Sequence, residues 1–271
     1  MIFQYDFMQR ALLSGIFIGI SCSLLGVFLV LKRLSLIGHG LGHISFTSVA
    51  VAMLVGVSPL YISIPIVMIM SLFILYLAQN RGFDNDSSIG LLSSAAIAAG
   101  VIIASISDGF NVDILSYLFG SILTVRQSEM ILSLILSLAV ILTVILVYRK
   151  LFLITYDEEF ARALGIRAEW YNKLLVLLTS INVVLSIRVV GTMLVSSLII
   201  IPALTAIQVK RSFTATLLLS VTAALISVIS GICISYYYVL HDGRSLPTGA
   251  TIVMVNLFLF LLSFIYSQWQ R

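Results

Sequence analysis

Long apolar stretches alternate with short polar ones from one end of the chain to the other. A membrane-spanning helix needs about 20 mainly apolar residues, and nine stretches approach that length. A weak break near Arg188 leaves eight as the alternative count. The predicted spans are residues 11–31, 36–55, 60–78, 89–106, 130–147, 171–187, 189–209, 214–240 and 251–266. We therefore predict an all-α membrane protein, a polytopic helical bundle that forms one transmembrane domain over residues 1–271.

Composition and charge agree with this prediction. Hydrophobic residues make up 61% of the chain and charged residues 10%, a balance that cannot cover the surface of a water-soluble protein. The basic residues cluster in alternate loops, as the positive-inside rule requires. With nine helices, this pattern places the N-terminus outside and the C-terminus inside. The net charge of +4 is thus a topological signal and does not indicate nucleic acid as a partner. The expected surrounding is membrane lipid.

A polar stripe runs along the second predicted helix. His39 and His43 lie four residues apart, and Ser35 and Thr47 extend the same spacing on either side. Residues i and i+4 share one face of a helix, so both imidazoles can approach a single ion. Ionisable groups at membrane depth cost free energy and usually serve a function. The spacing predicts a metal site at His39 and His43, with Ser35 and Thr47 as candidate pathway-lining residues.

Two simpler explanations stand beside the metal site. The imidazoles could hydrogen-bond to neighbouring helices, as polar residues in helical bundles often do. Gly38 and Gly42 form a small-xxx-small pair that lets another helix approach closely, which is a packing role. Pro202 would kink the seventh span, and such kinks are tolerated near cavities, so it joins the candidate pathway-lining residues.

No enzyme motif accompanies these residues. The sequence contains no phosphate-binding loop, no His-Glu-x-x-His and no nucleophile elbow. We therefore predict a transport protein without a catalytic residue, driven by an ion gradient or by another chain. A proton-coupled secondary transporter and a passive channel remain the other functional classes.

The most polar segment of the chain is Tyr156–Trp170. Acidic residues begin it and Gly165 follows, which are the signals of a short helix between two spans. From the residues alone, such a helix either rests on lipid or docks a cytoplasmic partner.

Several short motifs follow one another along the chain. Asp157, Ala161 and Gly165 form an Asp-x-x-x-Ala-x-x-x-Gly run, which resembles the coupling segment in the permease subunits of bacterial zinc and manganese ABC importers. The further matching segments are residues 33–38 with His43, 88–92 with Gly100, 115–123, 190–194, 201–203 and 247–253. The set spans nearly the whole chain in the family's order.

The resemblance implies a type II ABC importer permease fold in the bacterial plasma membrane. It also implies two permease copies, a cytoplasmic ABC ATPase dimer that hydrolyses ATP, and an extracellular metal-binding protein that delivers the ion. The segment with Asp157, Glu158, Ala161, Arg162 and Gly165 would couple the permease to the ATPase.

The family usually carries Asp-x-x-x-His on the second helix, whereas this chain has His39 at the Asp position. Manganese prefers carboxylate oxygens, while imidazole suits zinc, copper and nickel. Two neutral imidazoles suit zinc, and a site that must release its cargo needs fewer ligands than a closed cage. We therefore expect zinc rather than manganese as the transported ion, with manganese as the alternative and no permanently bound cofactor.

Overall fold

A computed structural model describes residues 5–80, 84–106, 118–120, 126–187, 189–192, 194–209, 212–238 and 246–269. The fold is all-helical, and ten helices lie within these residues. They are α1 Asp6–Leu31, α2 Ile37–Val55, α3 Pro59–Asn80, α4 Asn85–Ile106, α5 Gln127–Tyr156, α6 Glu158–Ala163, α7 Ala168–Ser186, α8 Val195–Gln208, α9 Phe213–Tyr237 and α10 Thr248–Trp269.

Seven of these helices are long and apolar enough to cross a membrane. The two other long helices fall short for physical reasons: α7 carries Glu169, Asn172 and Lys173, and α8 has only 14 residues. With the short helix α6 set aside, nine long helices in the described part of the chain coincide with the nine predicted spans. The protein therefore crosses the membrane several times.

The seventh predicted span is wrong in its first part. Helix α8 begins at Val195, and the preceding residues 189–192 and 194, here called the unwound segment, are not helical. Gly191 has φ +89°, a left-handed conformation that suits glycine. A Cβ at Gly191 would collide with the backbone of residues 118–120. Hydropathy cannot reveal this break, because the segment is as apolar as the helix after it.

The core of the bundle is built around α1, which packs against α5, α7, α8 and α9. Ser21 Oγ on α1 donates to Asn182 Oδ1 on α7 at 2.6 Å, and Ser227 Oγ on α9 donates to Asn256 Oδ1 on α10 at 2.7 Å. Such hydrogen bonds hold helices together where lipid offers no hydrophobic driving force. Helix α2 packs against α3, α4, α7 and α8, which places it inside the bundle.

The coupling segment lies at one end of the bundle. Helix α5 has 30 residues and is therefore about 45 Å long, whereas the hydrocarbon core is about 30 Å thick. Its last turns lie beyond the predicted limit at residue 147 and lead into α6. The end of α1 at Lys32 and the start of α7 at Asn172 meet α6 there. The structure thus brings these ends together on one side of the bundle, and the cytoplasmic location of that side stays a prediction.

Candidate functional site

The two histidines of α2 form a contact pair. Their Nε2 atoms are 3.0 Å apart, with ring centroids 4.4 Å apart and rings at 83° to each other. A tetrahedral zinc ion about 2.05 Å from each nitrogen would separate them by about 3.3 Å, so a small adjustment of the rings admits one ion. His43 is 8% exposed, whereas His39 is exposed. The pair therefore reaches from the protein interior to its surface.

Three glycines bring neighbouring elements against two faces of α2. A Cβ at Gly42 would lie 2.7 Å from the carbonyl oxygen of Thr192 in the unwound segment, and one at Gly38 would lie 3.1 Å from Ile199 Cδ1 of α8. On another face, a Cβ at Gly40 would lie 2.9 Å from Ser93 Oγ of α4. These contacts agree with the predicted packing role of Gly38 and Gly42.

The histidine pair lies between these two packed faces. Successive helical residues turn by about 100° around the axis, so the His39 and His43 side chains fall on the arc between the α8 face and the α4 face. Non-helical backbone at membrane depth is tolerated where it is buried in protein or lines a cavity. The unwound segment, beside Gly42, meets that condition.

The three candidate pathway-lining residues have different positions and contacts in the structure. Ser35 lies in the turn before α2 rather than in the helix, so the polar stripe is shorter than the sequence suggested. Thr47 donates to the carbonyl oxygen of Ala96 on α4 and to that of His43 at 3.3 Å. Pro202 is buried within α8. Their lining of a pathway stays a prediction.

The ligand set contributed by this chain is small. Among the described residues, no group of three or more His, Cys, Asp and Glu side chains could hold a metal ion. Thr192, next to α2, carries a buried hydroxyl without a hydrogen-bond partner. Buried polar atoms are rarely left unpaired, so this hydroxyl is an unused oxygen donor on a residue that contacts α2 at Gly42.

The coupling segment has the expected local structure. Asp157 is the N-cap of α6, and its Oδ1 accepts from the Phe160 backbone N–H at 2.8 Å. Gly165, after the helix, has φ +80°, which suits a helix terminator. Ala161 is fully buried, while Phe160 and Leu164 are exposed. An apolar surface outside the membrane span is typical of a site for a protein partner.

A buried polar cluster links this segment to the bundle. Lys32 Nζ donates to Asn172 Oδ1 at 2.5 Å, Glu158 Oε2 at 3.3 Å and the Ile154 carbonyl oxygen at 3.4 Å. Asn172 Nδ2 also donates to Glu158 Oε2 at 3.2 Å, and Arg162 donates to Glu158 Oε1 at 2.8 Å. We call Lys32, Glu158 and Asn172 the clamp. From the sequence, Lys32 is only one of the basic residues that follow the positive-inside rule, and no sequence signal indicates a role for Asn172.

Burial and charge oppose each other in the clamp. Burial lowers the pKa of Lys32, and the neighbouring Glu158 carboxylate opposes that shift without cancelling it. Burial also disfavours ionised Glu158, but the hydrogen bond from Asn172 and the charge of Lys32, with the hydrogen bond from Arg162, outweigh it. The pKa of Glu158 is therefore held below its ordinary value.

Comparison with known proteins gives a family and named relatives. The sequence profile of the ABC 3 transport family matches residues 4–267. The manganese transport system membrane protein MntC of Halalkalibacterium halodurans is 35% identical over 267 residues, covering 98% of this chain and 89% of MntC. The high-affinity zinc uptake system membrane protein ZnuB of Haemophilus influenzae is 27% identical over 260 residues, covering 96% of this chain and 97% of ZnuB.

A solved structure has the same fold over nearly the whole chain. It is PsaBC from Streptococcus pneumoniae in complex with Fab, and it matches with a TM-score of 0.85 at 28% sequence identity. The match covers 97% of this chain and 92% of the PsaBC chain.

Proposed function

We propose that zinc is the preferred cargo of this chain, which belongs to the ABC 3 transport family and is the membrane-spanning permease of a metal ABC importer. It has the type II importer permease fold and lies in the cell membrane as a multi-pass protein. The chain is not an enzyme, because ATP hydrolysis in these transporters resides on a separate chain.

The proposal for zinc rests on the convergence of His39 Nε2 and His43 Nε2, which are 3.0 Å apart. Imidazole nitrogen is a preferred ligand of zinc and a poor match for manganese, which favours oxygen. Because two ligands leave other coordination positions open, an ion held by the pair can still leave. Water or the second permease copy would fill those positions.

Manganese is the second candidate, and a specific observation favours it. MntC, which carries manganese in its name, is 35% identical to this chain, whereas ZnuB is 27% identical. The unpaired Thr192 hydroxyl is an oxygen donor of the kind manganese prefers. Geometry and metal availability, rather than affinity alone, often decide which ion a site carries.

The partners follow from the transporter class. An ATPase dimer would dock on the exposed apolar side chains Phe160 and Leu164 of the coupling segment. Asp157, Ala161 and Gly165 would maintain its shape as N-cap, packing residue and terminator. An extracellular binding protein would deliver the ion to a pair of permeases, and residues 1–271 would form one transmembrane domain.

The test is uptake of zinc and manganese by the complete transporter reconstituted in liposomes. His39→Ala and His43→Ala should each abolish zinc uptake while the ATPase still binds. Ser45→Ala is the matched control, because Ser45 is buried on the opposite side of α2 and its hydroxyl has no hydrogen-bond partner. Wild-type uptake by the double alanine variant would refute the ligand assignment, and preferred uptake of manganese would refute zinc as the cargo.

A further inference from the structure

Lys32 contacts three helices besides its own, and a basic residue that only sets membrane topology does not need these contacts. Its side chain is 10% exposed and donates to the end of α5, to α6 and to α7. A buried lysine is costly unless its charge and its hydrogen bonds are satisfied, and here each N–H direction meets an acceptor. The ammonium group thus connects the end of α1 to the coupling segment.

A short, well-ordered turn separates Lys32 from the histidine pair. Helix α2 begins at Ile37, and His39 is its third residue. Arg33 has φ +57°, a left-handed conformation uncommon for a side chain of this size. The Leu34 N–H donates to the Leu29 carbonyl oxygen at 2.8 Å and the Ile37 N–H to the Leu34 carbonyl oxygen at 3.1 Å. These bonds define the conformation of the turn, so displacement of Lys32 is passed to the start of α2.

A polar cavity separates the coupling helix from α3. Its volume is about 860 Å³, and it lies between Glu158 and Arg162 on one side and Leu72, Tyr76 and Gln79 on the other. Among the described residues, α6 packs against α5 and α7 rather than across this space against α3. Helix α7 in turn packs against both α2 and α3, whereas the clamp connects α6 directly to the start of the α1–α2 turn.

We propose that Lys32 is a positioning residue that transmits movement of α6 through the α1–α2 turn to the histidine pair on α2. Glu158 and Asn172 hold the ammonium group so that α6, the start of α7 and the turn move together. Glu158 therefore serves to bind Lys32 within the permease rather than to contact the ATPase. This inference rests on the proposed function, since it assumes that ATPase movement reaches a metal site on α2.

The first experiment compares Lys32→Met with Lys173→Met in the reconstituted complex. Lys173 lines the same cavity but is exposed, so its loss removes a charge without removing the clamp. We expect Lys32→Met to lower metal transported per ATP hydrolysed by about tenfold, within the usual range of coupling between sites. Metal affinity and ATPase binding should stay near wild type, and Lys32→Arg should restore part of the coupling. Lys173→Met should behave as wild type.

The second experiment measures the movement itself. Spin labels replace the exposed residues Leu36, at the start of α2, and Ala163, the last residue of α6, in a background with Cys22 and Cys233 changed to alanine. In the otherwise wild-type complex, the distance between labels should be the same with and without a non-hydrolysable ATP analogue. In Lys32→Met it should change when the analogue binds, because α6 then moves without α2.

Several results would overturn the proposal. Wild-type transport per ATP in Lys32→Met would assign the coupling to helix packing and not to the clamp. Loss of ATPase binding in that variant would make Lys32 part of the docking surface, and loss of metal affinity would make its role structural. If Lys32→Met does not fold, Glu158→Gln provides the same comparison. Failure of the wild-type complex to transport zinc or manganese would instead refute the proposed function.

Discussion

A backbone carbonyl group approaches α2, the helix with the histidine pair, at Gly42, and adding one methyl group there tests this contact. In Gly42→Ala, the new Cβ would lie 2.7 Å from the carbonyl oxygen of Thr192. Ordinary van der Waals contact begins at 3.4 Å, so α2 and the unwound segment must separate by about 0.7 Å, the difference between these distances. Because both atoms belong to backbone or Cβ positions, no side-chain rotation relieves the clash.

Two opposing effects determine the expected change in the free energy of unfolding. Overpacking a well-packed site costs about 1–3 kcal/mol, whereas alanine in a helix is about 1 kcal/mol better than glycine. Gly90→Ala on α4 is the matched control, because a Cβ at Gly90 meets nothing within 4 Å and only the helix gain applies. The difference between the two variants isolates the contact, and we expect Gly42→Ala to be about 1–3 kcal/mol less stable than Gly90→Ala.

Thermal unfolding of both variants in the same detergent measures this difference. A loss of 1 kcal/mol lowers the melting temperature of a chain of this size by about 2–4 °C. Zinc affinity should change little in Gly42→Ala, because both imidazoles ride on α2 and keep their mutual distance. Zinc transport should fall, because α2 no longer fits against the unwound segment. Equal melting temperatures and equal transport in Gly42→Ala and Gly90→Ala would refute the close approach.

Three further predictions address the ion, the coupling segment and pH. In competition uptake, His39→Asp should lower the preference for zinc over manganese, because it adds an oxygen ligand; an unchanged ratio would place selectivity elsewhere. Gly165→Pro should uncouple ATP hydrolysis from transport with metal binding retained in calorimetry, because proline cannot adopt φ +80°; loss of metal binding would contradict separate roles. The stabilisation due to the lowered pKa of Glu158 is complete above the ordinary glutamate value of about 4.3 and is lost as pH falls through the folded-state value. Melting temperatures between pH 3 and 7 should therefore fall more steeply for wild type than for Glu158→Gln, and parallel curves would contradict this.

Helix limits were predictable wherever the chain changes from apolar to polar at the true end of the helix. The span 36–55 matches α2, Ile37–Val55, almost to the residue. The span 130–147 ended too early, because a hydropathy window stops at the basic pair Arg149 and Lys150 while α5 continues to Tyr156. The unwound segment was missed because its break comes from backbone contacts of Gly191, which composition does not record.

The candidate site also has one part that the sequence predicted and one part that it did not. Helical periodicity is a local property, and it predicted that His39 and His43 share a face, as the 3.0 Å contact of their rings shows. The clamp depends on contacts between residues far apart in the chain: Lys32 and Asn172 are separated by 140 positions. No spacing rule connects such residues, so the sequence could show the charge of Lys32 but not its partners.

The packing of α2 explains why a permease would build its ion site on this helix. Gly42 and Gly40 bring the backbone of α2 against the unwound segment on one face and against Ser93 of α4 on another. At Gly42 the neighbouring atom is a backbone carbonyl oxygen, which no rotamer change can move away, so a shift of α2 must change the space beside the histidine pair. His43 is buried and His39 is exposed, and such a shift would alter the access of the two imidazoles unequally. A movement of less than 1 Å at the α1–α2 turn would then be enough to favour release of an ion from one side of the pair.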